Sequence, residues 1–127
     1  MKISHIAMYV NDLHAAKDFF MNFLGAKRAI GYINPKTGFQ SFFLDFEDGA
    51  RLELMNRPVM KDEKKDLLRT GYSHLAFSVG SREKVLEVTN NLRAAGYLIL
   101  ENPRDTGDGY YESSLVGFEG NLLEITV

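Results

Sequence analysis

Two pairs of polar residues stand where strand-like segments should carry only aliphatic ones. "ISHIAMYV" sets His5 at the head of an alternating run, and "YSHLAFSV" does the same with His74. "RLELM" and "LLEIT" place Glu53 and Glu124 between aliphatic neighbours. Successive side chains of an extended chain point to opposite faces. His5 therefore shares a face with Ala7 and Tyr9, opposite Ile6, Met8 and Val10; His74 shares one with Ala76 and Ser78, opposite Leu75, Phe77 and Val79. Glu53 points away from Leu52 and Leu54, and Glu124 away from Leu123 and Ile125. A mid-strand carboxylate is costly to bury without a partner. Two imidazoles and two carboxylates converging on one hollow would satisfy each other through a divalent cation. The alternative is that the glutamates pair with Arg51 or another basic residue, or face water on an open antiparallel sheet.

The elements that must position these residues occur twice. His5 precedes Asp12 by seven residues, and His74 precedes Ser81 by seven. Asp12 and Ser81 are both good N-caps, with side-chain oxygens that accept from free N–H groups of a first helical turn. Leu13, Ala16, Phe20 and Phe23 form an apolar stripe at helical spacing; Val85, Val88, Leu92 and Ala95 form its counterpart. Gly25 and Gly96 end the stripes where a left-handed C-cap belongs. His5 and His74 are 69 residues apart, while Gly25 to Gly96, Gly49 to Gly120 and Glu53 to Glu124 are each 71. The chain therefore reads as two copies of one unit.

The order is strand, helix, three strands, over Ile3–Val10, Leu13–Leu24, Ala26–Ile33, Phe39–Phe46 and Arg51–Met55. It repeats over Ser73–Val79, Glu83–Ala95, Tyr97–Leu100, Tyr110–Val116 and Leu122–Thr126. This predicts one α+β domain over residues 1–127, with modules of about 1–56 and 72–127. The mixed-charge stretch 57–71 is a solvated linker or a short exposed helix. A module of one helix and four short strands buries little surface alone. Two should share a mixed sheet and a core, with the helices outside and the opposite faces curling toward one another.

Composition excludes several classes. The 127 residues are 45% hydrophobic and 12% aromatic, with a formal net charge of −2. That gives a real core and no electrostatic footprint for nucleic acid. No apolar run approaches the ~20 residues of a membrane span, and no signal-peptide pattern opens the chain. No cysteine is present, so there is no disulfide, thiolate ligand or cysteine nucleophile. A cytoplasmic protein is expected.

With the repeat and the four polar residues, the sequence resembles the vicinal oxygen chelate superfamily, which groups glyoxalases, bleomycin-resistance proteins and dioxygenases. The resemblance runs from "SHIAMYVNDLHAAKDFFMNFLG" to "GFEGNLLEITV". It implies paired βαβββ modules curled around a metal-binding hollow. The ligand type is most similar to glyoxalase I, with His5, Glu53, His74 and Glu124 on the ligand positions. Family dioxygenases and fosfomycin-modifying enzymes typically use two histidines and one glutamate, so a fourth ligand favours the isomerase side.

Imidazole and carboxylate suit Zn, Ni, Co, Mn or Fe. Four protein ligands on an octahedral ion leave two adjacent positions, which can chelate neighbouring substrate oxygens and stabilise an enediolate during proton transfer. The resemblance makes Glu124 the first choice of base, with Glu53 serving the other side. Glyoxalase I carries an arginine four residues after its first ligand; here that place holds Tyr9, which cannot fork onto a carboxylate. The loop Pro103–Ser113 offers Arg104 and Tyr110 as further substrate contacts, as a rim or as a plain turn. His14 reads as an exposed helix residue. The Phe-rich stretch Phe39–Phe46 reads as core or dimer surface. The expected protein is a metal-dependent glyoxalase-like lyase or isomerase, homodimeric, taking a small-molecule substrate, with no nucleic-acid or membrane partner. A dioxygenase or thiol transferase of the same group and a metal-free drug-binding protein are the alternatives.

Overall fold

Both helices begin at their capping residues. In the computed structural model, which describes residues 1–127, the Asp12 side chain accepts from the Ala15 N–H at 2.9 Å and α1 spans Leu13–Phe23. The Ser81 hydroxyl accepts from the Lys84 N–H at 3.2 Å ahead of α2, Arg82–Ala94. Each cap satisfies a donor that the first turn leaves open. Gly25 and Gly96 follow the helices at φ of 74° and 93°, a conformation that penalises any residue with a Cβ.

The chain divides into two compact units, Met1–Glu63 and Lys64–Val127. In the first, β1 (Ile6–Tyr9) leads through α1 to β2 (Arg28–Ile33), β3 (Gln40–Asp45) and β4 (Arg51–Asn56). In the second, β5 (His74–Ser78) leads through α2 to β6 (Leu98–Asp105), β7 (Tyr111–Val116) and β8 (Leu122–Thr126). Each unit is thus the expected βαβββ module of an α+β fold. The sheet orders are β1-β4-β3-β2 and β5-β8-β7-β6. The first strand of each unit lies parallel to its last, and the other pairings are antiparallel. Instead of the single shared sheet expected, there are two four-stranded mixed sheets, one per unit.

Each helix covers one face of its own sheet. Leu13, Ala16, Phe19 and Phe20 of α1 are buried, as are Leu44, Leu52 and Leu54 on the strands. Val85, Thr89 and Leu92 of α2 are buried, with Leu115, Leu123 and Ile125 on the strands. Phe19 and Thr89 therefore join the predicted stripes, while Phe23 is half-buried and Ala95 exposed. Strand bounds depart from expectation most at β1 and β6. β1 starts at Ile6, so His5 precedes it. β6 runs on to Asp105, with register shifts against β7 after Ile99 and after Glu101. The predicted loop at Pro103–Ser113 is mostly hairpin, and only Thr106–Tyr110 forms the turn. Residues 57–71 contain no helix, only bends and one turn. No helix is long and apolar enough to cross a membrane.

Candidate functional site

In the first unit the register sets the pair. Ala7 lies opposite Glu53 across the parallel β1–β4 ladder, and His5 stands two residues earlier on the same face. Its Nε2 is 3.8 Å from Glu53 Oε2, and Ser4 Oγ lies 3.1 Å from its Nδ1. Phe43 pairs with Glu53 from the other side, and the His5 ring meets Phe43 edge-on at 5.2 Å. Arg51, the partner that could have neutralised Glu53, is engaged elsewhere. Its Nε donates to Asp45 at 2.9 Å, and its guanidinium lies 4.4 Å over Phe43. The Glu53 side chain keeps 15% of its exposure.

The second unit repeats this register. Ala76 lies opposite Glu124 across the parallel β5–β8 ladder, and His74 Nε2 is 3.0 Å from Glu124 Oε2. Ser114 pairs with Glu124 where the first unit has Phe43. The side chain of Glu124 keeps 19% of its exposure. Burial pushes its carboxyl above the ordinary range; His74 pulls it back, while Glu112 and Glu101 push it up.

Neither glutamate pairs with lysine or arginine, and each unit gathers two metal-type donors but no group of three. One imidazole nitrogen and one shielded carboxylate oxygen, facing across 3–4 Å, are a donor set that divalent transition metals accept. Each unit therefore offers one such donor pair.

The expected substrate contacts fall at unequal distances from these pairs. Tyr9 ends β1 on the face that carries His5, with Met55 opposite. Arg104 lies opposite Glu112 and is ion-paired to Glu101, which also accepts from the Ser114 hydroxyl at 3.4 Å. Tyr110 sits in the β6–β7 turn, 55% exposed, and its carbonyl accepts from Thr106. Four residues separate it from Ser114 opposite Glu124, about 13 Å of strand. His14 is exposed, its ring against Phe42 at 5.3 Å. The sequence reading missed Phe43 and Ser114. Strand parity within "FQSFFLDF" was the available signal for Phe43, once Glu53 was known to be its neighbour.

The family model described as the Glyoxalase/Bleomycin resistance protein/Dioxygenase superfamily matches residues 2–125. Over 126 residues the chain is 29% identical to the uncharacterized protein PA2024 of Pseudomonas aeruginosa, covering 98% of this chain and 86% of that one. Over 110 residues it is 28% identical to the uncharacterized protein YqjT of Bacillus subtilis, covering 84% of each. Among solved structures, the trypanothione-dependent glyoxalase I of Leishmania major is 22% identical with a TM-score of 0.77, covering 99% of this chain and 86% of that one. That last likeness is one of fold.

Proposed function

Because the chain belongs to the Glyoxalase/Bleomycin resistance protein/Dioxygenase superfamily, we propose that it is a divalent-metal-dependent lyase or isomerase of the glyoxalase type. We take it as one domain of two modules, working in the cytoplasm as a homodimer on a small molecule. The repeated pair carries this reading: His5 with Glu53, and His74 with Glu124, occupy the same diagonal of the same parallel strand pair in both units. Together these four side chains would hold an ion of the Zn, Ni, Co, Mn or Fe type. When bound, such an ion supplies a Lewis acid for two neighbouring substrate oxygens.

The proton is moved by the chain itself. Glu124 is the base, because its carboxylate is largely shielded and burial raises its affinity for a proton. A carboxylate oxygen of Glu124 takes the proton from one substrate carbon and returns it to the next, while the hydroxyl proton passes between the two neighbouring oxygens, so the isomerisation consumes no proton from outside. Glu53 serves the opposite side of the substrate, its carboxylate oriented by His5. Tyr9, Arg104 and Tyr110 contact the remainder of the substrate, with Arg104 the cation among them.

Metal content tests this reading. Tag-free protein is reloaded with Ni, Co, Zn or Mn, desalted and measured by elemental analysis. About one ion per chain is expected for the wild type, lost in Glu53→Ala and in Glu124→Ala; hemithioacetals and 2-oxoacid derivatives are then screened as substrates. No retained ion after any reload refutes the metal-dependent enzyme. It would favour a metal-free binder of aromatic molecules.

A further inference from the structure

In the first unit, beyond the His5–Glu53 pair, one cation is held without a counter-charge. Arg57 directly follows β4, and its guanidinium lies 5.4 Å from the centroid of the Tyr9 ring and 5.8 Å from that of Phe39. Attraction to ring faces at these distances holds the group in place. No carboxylate pairs with it: the acidic ion-pair partners in this unit go to His5, Lys17, Lys27 and Arg51. Its N–H donors are left for a ligand.

The guanidinium borders a cavity of about 460 Å³ lined by Asn34, Thr37, Phe39, Arg57, Pro58 and Val59. Local bonds fix its walls. The Asn56 amide donates to the Val10 and Asn11 carbonyls, both at 2.9 Å, and so anchors the residue before Arg57 to the end of β1. Across the cavity, Asn34 Oδ1 accepts from the backbone N–H groups of Lys36 at 3.0 Å and Thr37 at 3.3 Å, closing the β2–β3 turn on itself. Gly38 packs that turn onto Pro58. A Cβ at Gly38 would stand 2.7 Å from Pro58 Cγ, and its φ of 70° also favours glycine.

The lining thus offers one fixed cation, the carbon surfaces of Phe39, Pro58 and Val59, and no acidic side chain. A planar guanidinium matches a carboxylate with two parallel hydrogen bonds. The apolar walls suit a compact hydrocarbon body that displaces water from them. We propose that Arg57, stacked on Tyr9 and Phe39, binds small aromatic carboxylates in this cavity. The site requires no metal ion, so it stands or falls apart from the function proposed above.

Benzoate titrated into the metal-free full-length protein, with backbone amide shifts recorded, tests the site. Saturable shifts are expected at the amides of Asn34, Lys36, Thr37, Gly38, Phe39, Arg57 and Val59, with none from benzyl alcohol at the same concentration. Arg57 is exposed, so Arg57→Gln should keep a dispersed spectrum and weaken benzoate about tenfold or more, with Arg57→Lys in between. The proposal is overturned by a wild type that shows no saturable shifts, by benzyl alcohol binding as well as benzoate, or by Arg57→Gln binding benzoate like the wild type.

Discussion

A hydroxyl pair inside the second unit ties α2 to β7, the strand beside the one that carries Glu124, and its energetics follow from proton counting. Thr89 Oγ1 lies 2.6 Å from the Val85 carbonyl oxygen and 2.6 Å from Ser113 Oγ. Thr89 is 0% exposed and Ser113 1%, so water does not substitute for either partner. A carbonyl only accepts, so the single Thr89 proton goes to Val85, and Ser113 must donate to Thr89. The two truncations are therefore unequal. Thr89→Val keeps the shape but leaves the Ser113 O–H buried without an acceptor, which costs about 1–3 kcal/mol. Ser113→Ala leaves Thr89 still donating to Val85 and costs about 0.5–1.5 kcal/mol. The double variant has no orphaned hydroxyl, so its cost should fall below the sum by about 1 kcal/mol. Urea unfolding followed by circular dichroism measures the cycle, since the chain has no tryptophan, with an unchanged slope expected in all four proteins. Additive costs would refute the shared proton. Ser113→Ala costing more than Thr89→Val would reverse the assigned donor.

Two further variants probe the packing at Gly117 and the charge at Glu124. Gly117→Ala would put a Cβ 2.4 Å from Leu123 Cδ1 and 2.8 Å from its Cγ; Leu123 is fully buried, so a loss of about 1–3 kcal/mol is expected in urea unfolding, and wild-type stability would disprove the contact. In metal-free protein at pH 8, Glu124→Gln should raise the urea midpoint, because burial disfavours the charged carboxylate. The same variant should lose the stabilisation that saturating metal gives the wild type, about 2.7 kcal/mol at a hundredfold excess over Kd. A lower midpoint without metal, or an undiminished gain with it, would contradict the placement of Glu124.

Much of this was legible along the chain because it is local. Asp12 and Ser81 cap their helices from the side-chain type alone, and Gly25 and Gly96 end them because only glycine takes that φ without cost. The alternation around Glu53 and Glu124 set these carboxylates opposite Leu52, Leu54, Leu123 and Ile125 before any pairing was known. The repeat then matched each glutamate to a histidine. Pairing across the sheet was beyond that reach. That β1 lies against β4, and β5 against β8, depends on a chain path that crosses a helix and returns through a meander. No local periodicity encodes that return. Its register decides that His5 meets Glu53 at 3.8 Å and His74 meets Glu124 at 3.0 Å, and that Phe43 flanks one carboxylate where Ser114 flanks the other. The division into two sheets, the run of β6 through Arg104 and the stacking of Arg57 on Tyr9 and Phe39 are likewise contacts between residues distant in sequence. Residue type fixes what a side chain can donate or accept; only the pairing of the strands decides which partner stands within reach.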